Sequence, residues 1–142
     1  MVLVVLVGTA VGVIGVGAAV AAPSAASARA YCRVEARIAD LDVLGDTHPA
    51  RVRTDLRHLL ALTDRAARVA PFEIDADAWA AVDAQRRFNA VYAANGWRPE
   101  PTNQDPVFLA LADDPTIAAA YLRLEQYQRR VCDRRDAQPY VA

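Results

Sequence analysis

Cys32 and Cys132 are the only cysteines in this 142-residue chain, and they stand about 100 positions apart. A bridge between them would close residues 32–132 into one loop. It would also require the segment around Cys32 to lie beside the segment around Cys132. In a reducing cytosol the pair would be two buried thiols; behind an export signal it reads as a disulfide.

The segment before Cys32 supplies such a signal. Residues 2–22 carry no charge and are nearly all Val, Leu, Ile, Ala or Gly. Small residues follow at the −3 and −1 positions a signal peptidase requires, in Ala26-Ser27-Ala28 and again in Ala28-Arg29-Ala30. The mature chain is expected to start at Arg29 or Tyr31. No Leu stands three residues before Cys32, so a lipobox is absent. No Lys or Arg precedes the apolar run, which leaves an uncleaved anchor as the alternative; about 20 apolar residues can span a bilayer. Arg29, Arg33 and Arg37 would then favour a cytoplasmic body, where a structural disulfide is out of place. Residues 1–30 are therefore read as signal peptide or anchor, 31–136 as one domain and 137–142 as a tail. The expected location is secreted or on the outer face of the cytoplasmic membrane.

After the leader, about 112 residues remain, enough for one domain with a real core. The net charge of −1 gives no electrostatic reason to bind nucleic acid, and membrane contact is expected only through an uncleaved leader. All 16 basic residues are Arg, a skew that GC-rich codons produce. After residue 17 glycine occurs only at Gly45 and Gly96, and Ala is abundant. The fold class is therefore all-α.

Helical spacing and punctuation divide the chain. Tyr31, Val34, Ile38 and Leu41 recur at 3.6 spacing and predict a first helix from about Tyr31 to Leu44, stopped by Gly45. Thr47 and Pro49 suit the start of a second, with Val52, Leu56, Leu59, Leu60 and Thr63 on one stripe, ending before Pro71. Asp75 or Asp77 is expected to cap a third, whose apolar residues are Trp79, Val82, Phe88, Val91 and Tyr92. Asn95-Gly96 ends it. Residues 97–105 read as the longest irregular stretch. Asp105-Pro106 begins a short helix to about Ala112, and Asp114-Pro115 begins the last, to about Arg135, with Ile117, Tyr121, Leu124 and Val131 inward. Four long helices and one short one predict an up-down bundle, stapled by one disulfide. Cys32 points away from its helix's apolar stripe and is expected before the helix proper.

The residues that carry chemistry are scarce. Both serines, Ser24 and Ser27, fall in the leader, and no Lys exists, so serine nucleophiles, Schiff bases and P-loops are excluded. Asp40 to His48 follows the opening of a calcium loop, but Leu44 takes a ligand place and Arg51 stands where the bidentate Glu belongs. A weaker site from Asp42, Asp46 and His48 competes with a capped turn. His48 and His58 diverge by roughly 80° on one helix, a poor shared metal site. His58, beside Leu59 and Leu60, could border an apolar pocket and ligate an iron porphyrin. Asp75, Asp77 and Asp83 read as caps and a solvated face rather than a catalytic pair. Trp97 and Arg98 are the candidate contact residues, against the plainer reading that Trp97 plugs its loop onto the bundle.

Tyr31-Cys32 at one end, with Asp113-Asp114-Pro115, Leu124-Glu125-Gln126-Tyr127 and Cys132 at the other, resembles small exported helical proteins of actinobacteria. Those have a leader, a Cys opening the first helix and a last helix ending in Tyr, a few residues, then Cys. The resemblance covers roughly residues 31–132, and most such proteins have no assigned activity. Mycobacterial haemophore-like proteins share the outline of leader, helices and one Cys pair. The expectation is an exported, non-enzymatic binding or interaction domain of the cell envelope. Its expected partner is a protein or small apolar ligand, and no cofactor is expected. The alternatives are a carrier of haem or another hydrophobic ligand, and a membrane-anchored accessory subunit.

Overall fold

The computed structural model describes residues 25–133 except 44 and 46. The apolar leader, the tail and Arg134 and Arg135 lie outside the described residues. The described chain is all-helical: α1 (Ala25–Ala39), α2 (Pro49–Val69), α3 (Asp75–Ala94), the single turn α4 (Pro99–Thr102), α5 (Pro106–Ala112) and α6 (Pro115–Tyr127), which runs into a π-helical turn, Gln128–Cys132. Among the described residues no helix is long and apolar enough to cross a membrane.

The four long helices run up and down, and their cross-links show it. Ser27 near the start of α1 donates to the carbonyl of Val69 at the end of α2 (3.1 Å). Asn89 late in α3 donates to Leu56 early in α2 (3.1 Å). Asp77 at the start of α3 holds Arg123 late in α6 in a bidentate pair of 2.6–3.0 Å. Cys32 and Cys132 are bridged, with their Cα atoms 5.4 Å apart, within the ordinary range for a disulfide. Three residues on from Cys32, Glu35 meets Gln128, four residues before Cys132, so the first helix lies antiparallel to the last helical segment.

The main core joins Tyr31 and Val34 of α1, Leu62, Ala66 and Ala67 of α2, Ala78, Ala81 and Val82 of α3, and Leu124 and Tyr127 of α6. Alanine at so many core positions lets helices approach closely. A second cluster joins Val52, Leu56 and Tyr92, with Val43, Leu59, Trp97 and Phe108 against it. Phe108 of α5 meets Tyr92 and Phe88 edge-on, at ring separations of 5.9 and 5.4 Å.

Several sequence expectations are corrected. α1 begins at Ala25, upstream of both candidate cleavage points, and Ala28 is buried in it. Cys32 therefore sits inside α1 rather than before it. The residue before α2 is His48, not Thr47, and its side chain makes no cap bond. Neither Asp75 nor Asp77 caps α3. A 3₁₀ turn, Phe72–Ile74, runs directly into that helix, so Asp77 is left to bind Arg123. Trp79 does not join the core; it stands 38 % exposed with the Arg68 guanidinium 5.9 Å from its ring centre. Residues 97–105 are not wholly irregular, because Pro99 sits at the start of a helical turn and Thr102 is fully buried there.

Asn95-Gly96 does end α3, with Gly96 at φ 65° and Trp97 beside it at φ 61°. A Cβ at Gly96 would meet nothing within 4 Å, so only the backbone objects to it. Gly96→Ala is expected to cost about 1–2 kcal/mol in urea unfolding, the usual penalty of a left-handed non-glycine residue. An unchanged midpoint would show that the turn relaxes freely.

Candidate functional site

A cavity of about 370 Å³ lies between the four long helices. α1 gives it Glu35 and Ile38; α2 gives Leu59 and Thr63; α3 gives Ala81 and Gln85; α6 and the π turn give Tyr121, Leu124, Glu125 and Gln128. Ala81, Gln85 and Leu124 are buried and form the floor, while Tyr121 and Glu125 are exposed and mark the mouth. The volume falls in the range of small-molecule sites, and bundle interiors are a usual place for them.

The polar groups of the floor are oriented by a chain of amides. The Leu56 carbonyl can only accept, so Asn89 presents its Nδ2 to it and turns its Oδ1 toward Gln85. Gln85 answers with Nε2, at 2.9 Å. Its carbonyl oxygen has no hydrogen bond among the described residues, although the side chain is only 8 % exposed.

Glu35 stands at the other wall. Its carboxylate accepts from Gln128 Nε2 at 2.5 Å, and among the described residues it has no ion pair. Burial raises its pKa above the ordinary 4.5, a shift partly opposed by the nearby Tyr31 hydroxyl. Tyr31 is close enough to feel Glu35 electrostatically, but its hydroxyl makes no hydrogen bond of good geometry. Burial, and then the Glu35 charge, push that phenol far above its usual range. Burial and Glu35 push Tyr121 up as well. Glu125, by contrast, is paired with Arg129 at 2.5 Å.

This arrangement predicts a pH dependence. With its pKa raised, folded Glu35 keeps its proton at pH values where the unfolded chain has released it. The stability this contributes is full below about pH 4.5 and is lost as pH rises through the raised folded value. Glu35→Gln removes the dependence, so the variant should gain on the wild type as pH rises from 4.5 toward neutral. Melting curves across that range that stay parallel would remove Glu35 from the account. Asp105 and Asp114 act oppositely. Their hydrogen bonds, from Asn95 to Asp105 and from the Thr116 amide to Asp114, hold both below 3.8, so their contribution is present above that value and lost as pH falls.

The residues singled out from sequence lie elsewhere. His58 is exposed on α2; Trp97 packs against the second core cluster; Arg98 is exposed, and its carbonyl accepts from Thr102 Oγ1 at 2.7 Å. None of the three lines the cavity. His48 precedes α2, and Asp46 of the supposed cation turn lies outside the described residues. Among the described residues no group of three or more His, Cys, Asp and Glu could hold a metal ion. Sequence reading placed Tyr121 inward, but it is 42 % exposed at the mouth. It passed over Glu35 and Gln85 altogether. The available signal was the Gln85–Asn89 amide pair at i, i+4 spacing amid Ala81, Val82 and Ala84.

No family model, curated protein or solved structure matches the chain.

Proposed function

We propose that this chain is an exported, non-enzymatic binding domain whose ligand site is the cavity between α1, α2, α3 and α6. The observation that carries the reading is the cavity's make-up: an apolar body from Ile38, Leu59, Ala81 and Leu124, with two oriented acceptors, Glu35 and the Gln85 carbonyl. Apolar walls with a few fixed polar groups are how small-molecule sites combine affinity with orientation. Export is supported by the bridge, which persists in oxidising compartments, by the apolar leader and by the resemblance to exported actinobacterial helical proteins. No histidine lines the cavity, so haem carriage gains no support from it. An uncleaved leader would hold the same domain at the membrane as an accessory subunit.

Two measurements test this. Titration of the ¹⁵N-labelled bridged chain with neutral benzyl alcohol should shift the amides of Ala81, Gln85 and Leu124 ahead of all others; shifts spread over the surface would sink the site. Intact mass of the protein recovered from its host should show loss of residues 1–28 or 1–30 and no free thiol. A retained leader would turn the reading to the anchored form, and free thiols would end the export argument.

A further inference from the structure

The cavity's polar groups are one-sided. Glu35 offers a half-buried carboxylate without a cationic partner among the described residues. Gln85 offers a carbonyl oxygen that the amide chain through Asn89 and Leu56 forces away from Nε2. Tyr121 at the mouth adds an aromatic ring. The second carboxylate, Glu125, is already answered by Arg129. Among the described residues no Arg lines this cavity. Acceptors, an aromatic face and an unanswered carboxylate complement a positive hydrogen-bond donor. A buried carboxylate without a counter-charge is costly, and an ammonium group entering beside it would restore what desolvation removed. Aromatic rings also attract ammonium groups within about 6 Å. The volume of about 370 Å³ and the apolar floor of Ala81 and Leu124 limit the rest of the ligand to a short hydrocarbon or single aromatic ring.

We infer that the cavity binds a small organic cation, an amine with a compact apolar body, its ammonium at Glu35 and the Gln85 carbonyl and its body against Leu59, Ala81 and Leu124. This deepens the proposed function and rests on that cavity being the ligand site.

The test compares three probes of one shape at pH 7: phenethylamine, 2-phenylethanol and 3-phenylpropionate. Each is titrated into the ¹⁵N-labelled bridged chain and into its Glu35→Gln variant, whose fold is checked by far-UV dichroism. The amine is expected to bind at least ~10-fold more tightly than the alcohol, with the carboxylate weakest, and Glu35→Gln should bring the amine down to the alcohol's affinity. The shifted amides should be those of Ala81, Gln85 and Leu124. Equal binding of amine and alcohol, unaltered by Glu35→Gln, overturns the cation assignment and leaves the cavity as a neutral-ligand site. Amine binding that maps to exposed carboxylates such as Asp83 overturns it too. If no probe moves the cavity amides, the cation and the ligand site both fall. Should Glu35→Gln fail to fold, the ranking of the three probes on the wild type decides by itself.

Discussion

Replacing both cysteines with alanine is expected to lower the unfolding free energy by about 2–5 kcal/mol. The bridged positions are 100 residues apart, and closing a loop of that length removes about 4.7 kcal/mol of freedom from the unfolded chain in the chain-entropy treatment. A domain of this size has roughly 5–15 kcal/mol in all, so the bridge accounts for a large fraction of the whole. Both bridged helices are held elsewhere as well, α1 by α2 along its length and α6 by α3 through Arg123 and Asp77. The unbridged chain should therefore keep its helices while its urea midpoint drops. The slope with denaturant should also rise slightly, because an unbridged unfolded chain exposes more surface. Urea curves for the double alanine variant beside the oxidised wild type decide the matter. A loss below about 1 kcal/mol would mean that the unfolded chain is already held together near its ends.

What the sequence made legible was whatever local chemistry decides. Asp105-Pro106 and Asp114-Pro115 start their helices at the residue expected, because each Asp reaches the amide two positions on, 2.8 Å away in both cases. Asn95-Gly96 ends α3 for a reason contained in one dihedral angle. The bridge followed from counting cysteines behind an apolar leader. Where neighbouring elements decide, the sequence misled. Asp77 has the composition of a cap, but Arg123, 46 residues away, claims it. Trp79 falls on an apolar register, yet Ala78, Ala81 and Val82 fill that side of α3 and leave the indole half outside. The cavity was the least legible feature. Each helix contributes only two or three residues to it, and Glu35 and Gln85 look like any polar helix positions until four faces are brought together.

Tyr127→Ala is expected to cost about 3–5 kcal/mol, the range for truncating a buried aromatic. Tyr127 is only 1 % exposed and sits at the junction of α6 and the π turn, with its ring edge-on to Tyr31 at 5.6 Å. Its neighbours on that seam are Gln128, bound to Glu35, and Cys132, bridged to Cys32. Three successive attachments thus hold the middle of α1 to the junction of α6 and the π turn, one by packing, one by a hydrogen bond and one by a covalent bond. They share the same pair of helices, so their losses should not add. With the bridge intact, the unfolded chain stays constrained, and Tyr127→Ala should leave a folded protein with a lower melting temperature. In the double alanine background the same substitution removes packing from a seam that has lost its covalent tie, and the chain should separate α1 from the rest. Hydrogen exchange distinguishes the outcomes. Faster exchange confined to α1 and the π turn, with α2 and α3 still protected, is the expected pattern in the triple variant. Uniform loss of protection would instead show that this seam and the rest of the bundle unfold as one unit.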